Sequence, residues 1–289
     1  MIRIIHEGEA LRAACDAARR AGKRVGVIPT MGALHDGHLS LMRSALDHGA
    51  ELRVATIFVN PLQFAPNEDL NRYPRTLDAD LALLEERGVD LVFAPSLEAM
   101  LPEGFQTHVQ VGSVSESLEG AHRPGHLRGV TTIVAKLLNL VGPSIAIFGR
   151  KDFQQWRVIE RMVHDLAMPI EIVGAPIVRE ADGLALSSRN RYLSPEARGR
   201  ALSLSGGLRS AAHRWEAGVR DAGALLGAVR AEVESRCESV DYVALADAVE
   251  LRPLEGEITG GVLLVAARVE GTRLIDNLWL GVDPPPPAA

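Results

Sequence analysis

Cysteine is scarce in this 289-residue chain, and the two present, Cys15 and Cys237, stand far apart with neither metal-ligand nor redox spacing. That excludes a disulfide-stapled scaffold, and a reducing cytoplasm is the expected location. No charged-then-apolar leader and no apolar run of membrane-spanning length is present, so no membrane partner is expected. A positive balance is also lacking. Lys and Arg number 31 against 37 Asp and Glu, a net charge of −6. This excludes nucleic-acid binding dominated by phosphate contacts, and no nucleic-acid partner is expected. Low complexity is confined to Asp283-Pro-Pro-Pro-Pro-Ala-Ala289, which reads as a disordered or extended tail. What remains is an ordinary globular composition, 47% hydrophobic and 24% charged, with room for two domains or one large one.

The chain is organised around Val25–Arg43. Val25–Ile28 reads as a buried strand, followed by a Gly-containing turn and a helix starting near Gly37. Leu39, Met42 and Leu46 recur along that helix at helical spacing, and Gly49 is its expected stop. A helix start carries unpaired N–H groups and partial positive charge, which suits it to a phosphate. His35 and His38, three residues apart, can face one ligand there. Gly32 and Gly37 would let a nucleotide approach the backbone. The Gly32-x4-Gly37 spacing is not a P-loop, because His38 and Leu39 stand where Lys and Ser or Thr are required. A metal-binding pair lacks a third ligand at suitable spacing, so no metal site is assigned.

Amphipathic helices alternate with apolar strands through the first part of the chain. Ala10–Ala21 reads as a helix (Leu11, Ala14, Cys15, Ala18), Leu52–Val59 as a strand ended by Asn60-Pro61, and Thr76–Arg87 as a helix with Leu77, Leu81 and Leu84 on one face. Leu91–Ala94 is a strand, Val130–Val141 a helix, Ile145–Phe148 a strand, Asp152–Leu166 a helix and Ile170–Val173 a strand. This alternation implies a parallel sheet covered on both faces, with ligands bound beyond the carboxyl ends of its strands. Three suspicious stretches lie just past a strand: Thr30–His38, Asn60–Phe64 and Gly149–Asp152. Periodicity carries no strand order.

Beyond about Val178 the pattern changes to helices at Pro195–Trp215 and Asp221–Arg236, then strands near Asp241–Leu245, Val262–Val269 and Arg273–Leu280. A smaller α+β domain over 178–289 is expected after a first domain over 1–177.

Other stretches carry chemistry that stands beside plainer readings, a polar loop tip, a capped helix with solvated charges or an ordinary loop. Asn60 and Gln63 are neutral amides in an apolar setting, suited to a hydroxyl and a carboxylate of one small substrate, or else part of a polar loop tip. Lys151 could pair with a phosphate, and Asp152 could cap a helix or help a metal, with Gln154 and Gln155 as the next polar groups. Arg179–Arg191 reads as a mobile segment, with Ser187, Ser188 and Arg189 supplying the hydroxyls and fixed cation that a polyphosphate needs, as a ligand-gated lid would. His122, Arg123, His126 and Arg128 lie in a loop read either as an anion-attracting rim or, more simply, as solvated.

Thr30–His38, Phe58–Phe64, Tyr73–Thr76, His122–Val130, Gly149–Gln155 and Leu186–Leu193, taken together and in this order, resemble the pantothenate synthetase (pantoate–β-alanine ligase) family. His-x-Gly-His alone marks a wider nucleotidyl-transfer superfamily. The resemblance implies a Rossmann-like doubly wound α/β domain, a smaller C-terminal lid domain and a homodimer. It implies the substrates ATP, pantoate and β-alanine, with Mg2+ accompanying ATP, and a step in coenzyme A biosynthesis. Pantoyl adenylate forms first with release of pyrophosphate, and β-alanine then displaces AMP. By position, Met31, Gly32, Ala33, Leu34, His35, Asp36, Gly37 and His38 would hold ATP, as would Gly149, Arg150, Lys151, Asp152, Val178, Leu186, Ser187, Ser188 and Arg189. His38, His35 and Lys151 would be catalytic. Gln63 and Gln155 would grip pantoate, and Gln63 would also lie near β-alanine. Leu186 departs from the Met expected in many relatives, an apolar exchange.

The nearest rival is another His-x-Gly-His nucleotidyltransferase acting on a phosphorylated acceptor. The Gln-lined loops suit a small hydroxy acid better than a phosphate. A class I aminoacyl-tRNA synthetase would need an RNA-binding surface that this acidic chain lacks, and a non-catalytic nucleotide sensor would borrow the fold alone.

Overall fold

The computed structural model describes residues 2–66 and 68–288. These form two compact units: residues up to Arg150 together with Gln154–Ala175, and Lys151–Phe153 together with Pro176 onward.

Among the described residues, the first unit holds six parallel strands: β1 (Arg3–Ile5), β2 (Val25–Thr30), β3 (Leu52–Ile57), β4 (Leu91–Phe93), β5 (Ser144–Gly149) and β6 (Ile170–Ala175). Their order across the sheet is β1-β4-β3-β2-β5-β6. The connecting helices include α1 (Gly8–Arg20), α2 (Asp36–Asp47), α3 (Leu77–Glu86), the short α4 (Leu97–Met100) and α5 (Glu119–His122), α6 (His126–Val141) and α7 (Phe153–Asp165). In β5, Ile145, Ala146, Ile147 and Phe148 are all buried. Successive strand residues point to opposite faces, so both faces of the sheet are covered. This is the parallel sheet covered on both faces that the alternation implies, in the Rossmann-like α/β arrangement that the family resemblance implies.

The order has a consequence for ligands. From β2 the chain steps outward to β3 and β4, and then returns to the other side of β2 for β5 and β6. β2 and β5 therefore flank the topological switch point, where open α/β sheets bind ligands beyond their strand ends. The loops leaving these two strands are the His-x-Gly-His turn and Gly149–Asp152.

Several local expectations are corrected. β2 runs on to Thr30, two residues further than its apolar run. Leu46 is exposed, and the buried stripe of α2 is Leu39, Leu41, Met42 and Ala45. Leu77 is likewise exposed, while Asp80 of the same helix is buried. A short edge strand, β1, was not legible in three residues.

In the second unit, α8 (Pro195–Glu216) and α9 (Ala222–Glu234) pack on an antiparallel sheet of β7 (Ser239–Ala246), β8 (Gly261–Val269) and β9 (Thr272–Leu280), in the order β7-β8-β9. Ser194 caps α8 through its side chain with Pro195 behind it, and Asp221 caps α9. Leu204, Leu208, Leu225, Val229, Val265 and Leu278 form part of the core between them. The proline tail is packed: Pro286 is buried, and the Pro287 carbonyl accepts from Arg209 Nη1 at 2.6 Å. Ala289 of that tail lies outside the described residues. No helix among the described residues is long and apolar enough to cross a membrane.

Burial pushes the Cys15 thiol up to about 11, against a smaller opposing pull from Arg19. It therefore behaves as an inert core hydrophobe.

Candidate active site

The turn after β2 has an unusual backbone. Gly32 has φ +80° and Ala33 φ +52°, a left-handed conformation that costs an L-residue with a Cβ on the order of 1 kcal/mol. Asp80 of α3, 2% exposed, reaches into this turn. Its Oδ2 accepts from the Ala33 N–H at 3.0 Å and its Oδ1 from the Leu34 N–H at 2.8 Å. The Thr76 hydroxyl donates to Oδ2 at 3.2 Å. A Cβ on Gly32 would stand 2.9 Å from Asp80 Oδ2 and 3.2 Å from Ile57 Cγ2. The missing side chain at Gly32 thus makes room for the protein's own carboxylate, a different reason from the approach of a nucleotide.

Beyond this turn His35 occupies the N-cap position of α2, and His38 lies in its first turn. Their ring centroids are 4.1 Å apart and tilted by 43°. Both rings are half-buried, whereas Asp36 is exposed. Ala33 and Leu34 are buried, with their amides committed to Asp80.

The loop after β3 is built on a buried amide. Asn60 Oδ1 accepts from the Leu62 N–H at 3.1 Å, and its Nδ2 donates to Gln63 Oε1 at 3.0 Å and to the Gly129 carbonyl at 3.1 Å. A Cβ on Gly129 would overlap the Leu62 carbonyl, so α6 can lie this close only through a glycine. Gln63 Nε2 points at Met31 Sδ, 3.1 Å away, which joins the loops after β2 and β3.

The stretch read as a solvated loop or rim, Gly120–Arg128, is largely neither. His122 ends α5 and is exposed, as is Arg128, but Arg123 and His126 turn inward. Arg123 grips Glu68 with two bonds, at 2.6 and 2.8 Å, and lies 3.6 Å from Glu119. His126 Nδ1 donates to the Gln63 carbonyl at 2.8 Å, while its Nε2 accepts from Arg123 Nη1 at 3.0 Å. A carbonyl can only accept and a guanidinium only donate, so this fixes the neutral Nδ1–H tautomer.

Burial, and then the Arg123 charge, push the His126 imidazole down to about 4. An unfolded histidine takes up its proton near pH 6.5, so between the two values the unfolded state binds more protons. The contribution is complete above about pH 6.5 and is lost as pH falls toward 4, by about 3 kcal/mol at most. Urea unfolding of wild type and His126→Asn at pH 7 and pH 4.5 should show the wild type losing about 2 kcal/mol more over that interval. Equal losses would show that the imidazole is not held neutral.

At the end of β5, Gly149 is half-buried and Arg150 buried. Lys151 is half-buried, Asp152 is exposed, and a short 3-10 turn over Arg150–Asp152 leads into α7. Gln154 is buried and fully used: its Oε1 accepts from the Glu119 N–H, and its Nε2 donates to the carbonyls of Val114 and Ser117. Gln155, next to it, is half-buried.

Within the second unit, Val178 and Leu186 are joined by a backbone bond, Leu186 N–H to the Val178 carbonyl at 3.0 Å, across a small hairpin. This segment is tied down by several side-chain bonds. Arg179 makes a two-pronged ion pair with Asp276, at 2.7 and 2.9 Å. Arg198 bonds Glu180 and Asp182, and Asn190 Nδ2 donates to Glu180 and the Ala185 carbonyl. Ser187 caps the turn Ser188–Tyr192, and Ser187, Ser188 and Arg189 are all half-buried.

The supports Asp80, Glu68, Arg123 and His126 were not assigned from the sequence. Asp80 left one signal: it sits three residues after Leu77 and four before Leu84, a carboxylate in the middle of an apolar stripe. Among the described residues, no group of three His, Cys, Asp or Glu side chains could hold a metal ion.

A parallel sheet with a helix start carrying two histidines at its switch point defines an α/β protein suited to an anionic ligand beyond its strand ends. Comparison with known proteins narrows the class. The pantoate-beta-alanine ligase family profile matches residues 3–279, and the chain belongs to that family. A pantothenate synthetase of Anaeromyxobacter dehalogenans is 54% identical over 280 residues, covering 95% of this chain and 97% of the relative. The crystal structure of pantothenate synthetase from Thermus thermophilus is 47% identical with a TM-score of 0.89, covering 96% and 99% of the two chains. The Francisella tularensis pantoate-beta-alanine ligase, solved with beta-gamma ATP and beta-alanine, is 29% identical with a TM-score of 0.79, covering 96% and 98%.

Proposed function

We propose that this chain condenses pantoate with β-alanine at the expense of ATP, through a pantoyl adenylate. The reading is carried by the paired His35 and His38 at the helix start beyond β2, in a chain of this family. A pantoate carboxylate oxygen attacks the α-phosphorus, and the bond to the bridging oxygen breaks, releasing pyrophosphate. The β-alanine nitrogen then attacks the activated acyl carbon and loses a proton, and the carbon–oxygen bond to AMP breaks.

The residue types suit these demands. Bringing an anion to a triphosphate requires positive charge and fixed donors where pyrophosphate charge develops. His35, His38, Lys151, Ser187, Ser188 and Arg189 would supply them, helped by the first N–H groups of α2. Met31, Gly32, Asp36, Gly37, Gly149, Arg150, Asp152, Val178 and Leu186 would complete the nucleotide's surroundings, and Ala33 and Leu34 would shape the turn. Neutral Gln63 and Gln155 would hold pantoate without locking its carboxylate in an ion pair, and Gln63 would also lie near β-alanine. Holding the reactants in line is a large share of the acceleration. Mg2+ takes phosphate oxygens with few protein ligands, so it would arrive on the ATP and belongs with the substrate. A cytoplasmic homodimer, with residues 178–289 acting as a lid over 1–177, completes the reading.

The test is a pyrophosphate-release assay with ATP and pantoate, followed by addition of β-alanine. Release that requires pantoate, and AMP with pantothenate after the amine is added, is the expected result. No release, or release independent of pantoate, would overturn the assignment.

A further inference from the structure

We infer that Asp80 is a positioning residue for adenylation: its buried carboxylate holds the turn after β2 in the shape that presents His35 and His38. The inference rests on the proposed reaction and extends it to a side chain outside the nucleotide-contacting set.

Three observations converge on the carboxylate. Its two oxygens take the consecutive N–H groups of Ala33 and Leu34, at 3.0 and 2.8 Å. Those bonds fall on a non-glycine residue held at φ +52°, a conformation that the chain does not adopt unforced. Gly32, just before it, leaves the space the carboxylate fills. Hydrogen bonds to an ionised acceptor are about twice as strong as neutral ones, and these are shielded from water. His35 follows Leu34 directly, so the path of the Ala33–Leu34 backbone sets where the two imidazoles begin. Neutral acceptors such as backbone carbonyls would leave Ala33 freer to relax to negative φ. With Ala33 and Leu34 donating to Asp80 and Thr76 adding a third bond, the carboxylate acts as a template within the protein.

Asp80→Asn keeps the shape but turns an NH2 group toward one of the two backbone donors. It should lower the rate of pyrophosphate release from ATP and pantoate about 30-fold, with the KM for β-alanine unchanged. In an Ala33→Gly background the turn accepts positive φ without strain, so the loss caused by Asp80→Asn should shrink below about 10-fold. Should Asp80→Asn fail to fold, Thr76→Val serves instead. Thr76 is exposed, and loss of its bond to Asp80 should slow release about threefold, with the thermal midpoint held. Equal rates in folded Asp80→Asn and wild type overturn the inference, as does a loss of equal size in both backgrounds. A raised Mg2+ requirement as the main defect would make Asp80 a metal ligand and would also overturn it. A wild-type chain that releases no pyrophosphate brings down the functional reading itself, before any variant is compared.

Discussion

Replacing His38 by alanine is expected to slow pyrophosphate release from ATP and pantoate by roughly 150-fold, or about 3 kcal/mol of transition-state stabilisation. This is the scale of a single donor aimed at developing charge. His38 sits in the first turn of α2, 4.1 Å from His35, so the loss falls where the helix start already favours an anion. Lys151→Ala should produce a loss of the same order if its ammonium takes the proposed place beside the leaving pyrophosphate, where it would answer the same charge. Both side chains are half-buried and serve no core, so the thermal midpoint should move little in either variant. Single-turnover measurement of pyrophosphate release separates this step from attack by the amine. Near-normal adenylation by both variants would refute the two roles.

The largest stability effect is expected in the second unit. Asp276, 3% exposed, pairs with Arg179, whose guanidinium also donates to the carbonyls of Gly183 and Asn277. Asp276→Ala leaves that guanidinium buried without its counter-charge, at a cost of about 3–5 kcal/mol. Arg179→Met should be comparably severe. The double variant Arg179→Met, Asp276→Leu should cost less than either single change, because no charge is then left behind. Urea unfolding of the three proteins provides the comparison. A single-variant cost below about 1 kcal/mol would show that the pair is hydrated and replaceable. Since the pair closes the hairpin whose Val178 and Leu186 are proposed to lie against ATP, the same variants should weaken ATP use wherever they remain folded.

Much of the local structure that carries the candidate residues could be read from the sequence alone. The apolar run Val25–Ile28, two glycines and two histidines identify a strand, a turn and a helix start, because burial periodicity and backbone freedom are local properties. The polar stretch Gly149–Asp152 does follow a strand, as its apolar run implies, and Ser187 does cap a short turn; their contacts with a nucleotide belong to the proposal. The α2 stripe shows the limit. Spacing alone permits Leu39, Met42 and Leu46, but the helix seats Leu41 and Ala45 against the sheet and leaves Leu46 in water. Periodicity states how far apart the buried residues lie, while the orientation of the helix on its neighbours decides which they are. Arg123 and His126 mislead for a related reason. Polar residues beside Gly and Pro read as solvated, yet each here finds a half-buried partner, Glu68 and the Gln63 carbonyl, more than fifty residues away.

By itself the sequence determined the alternation of strands and helices, the change of pattern near Val178, the His-x-Gly-His turn and the family. Only the tertiary structure decided that β2 and β5 are neighbours, that the Asp80 carboxylate shapes the Ala33–Leu34 turn, and that the Arg179 segment is held by Asp276. The division has a physical cause. Local patterns record which face of an element avoids water, whereas strand neighbours and buried polar bonds are settled by groups distant in the chain, each of which must find a partner once water is gone.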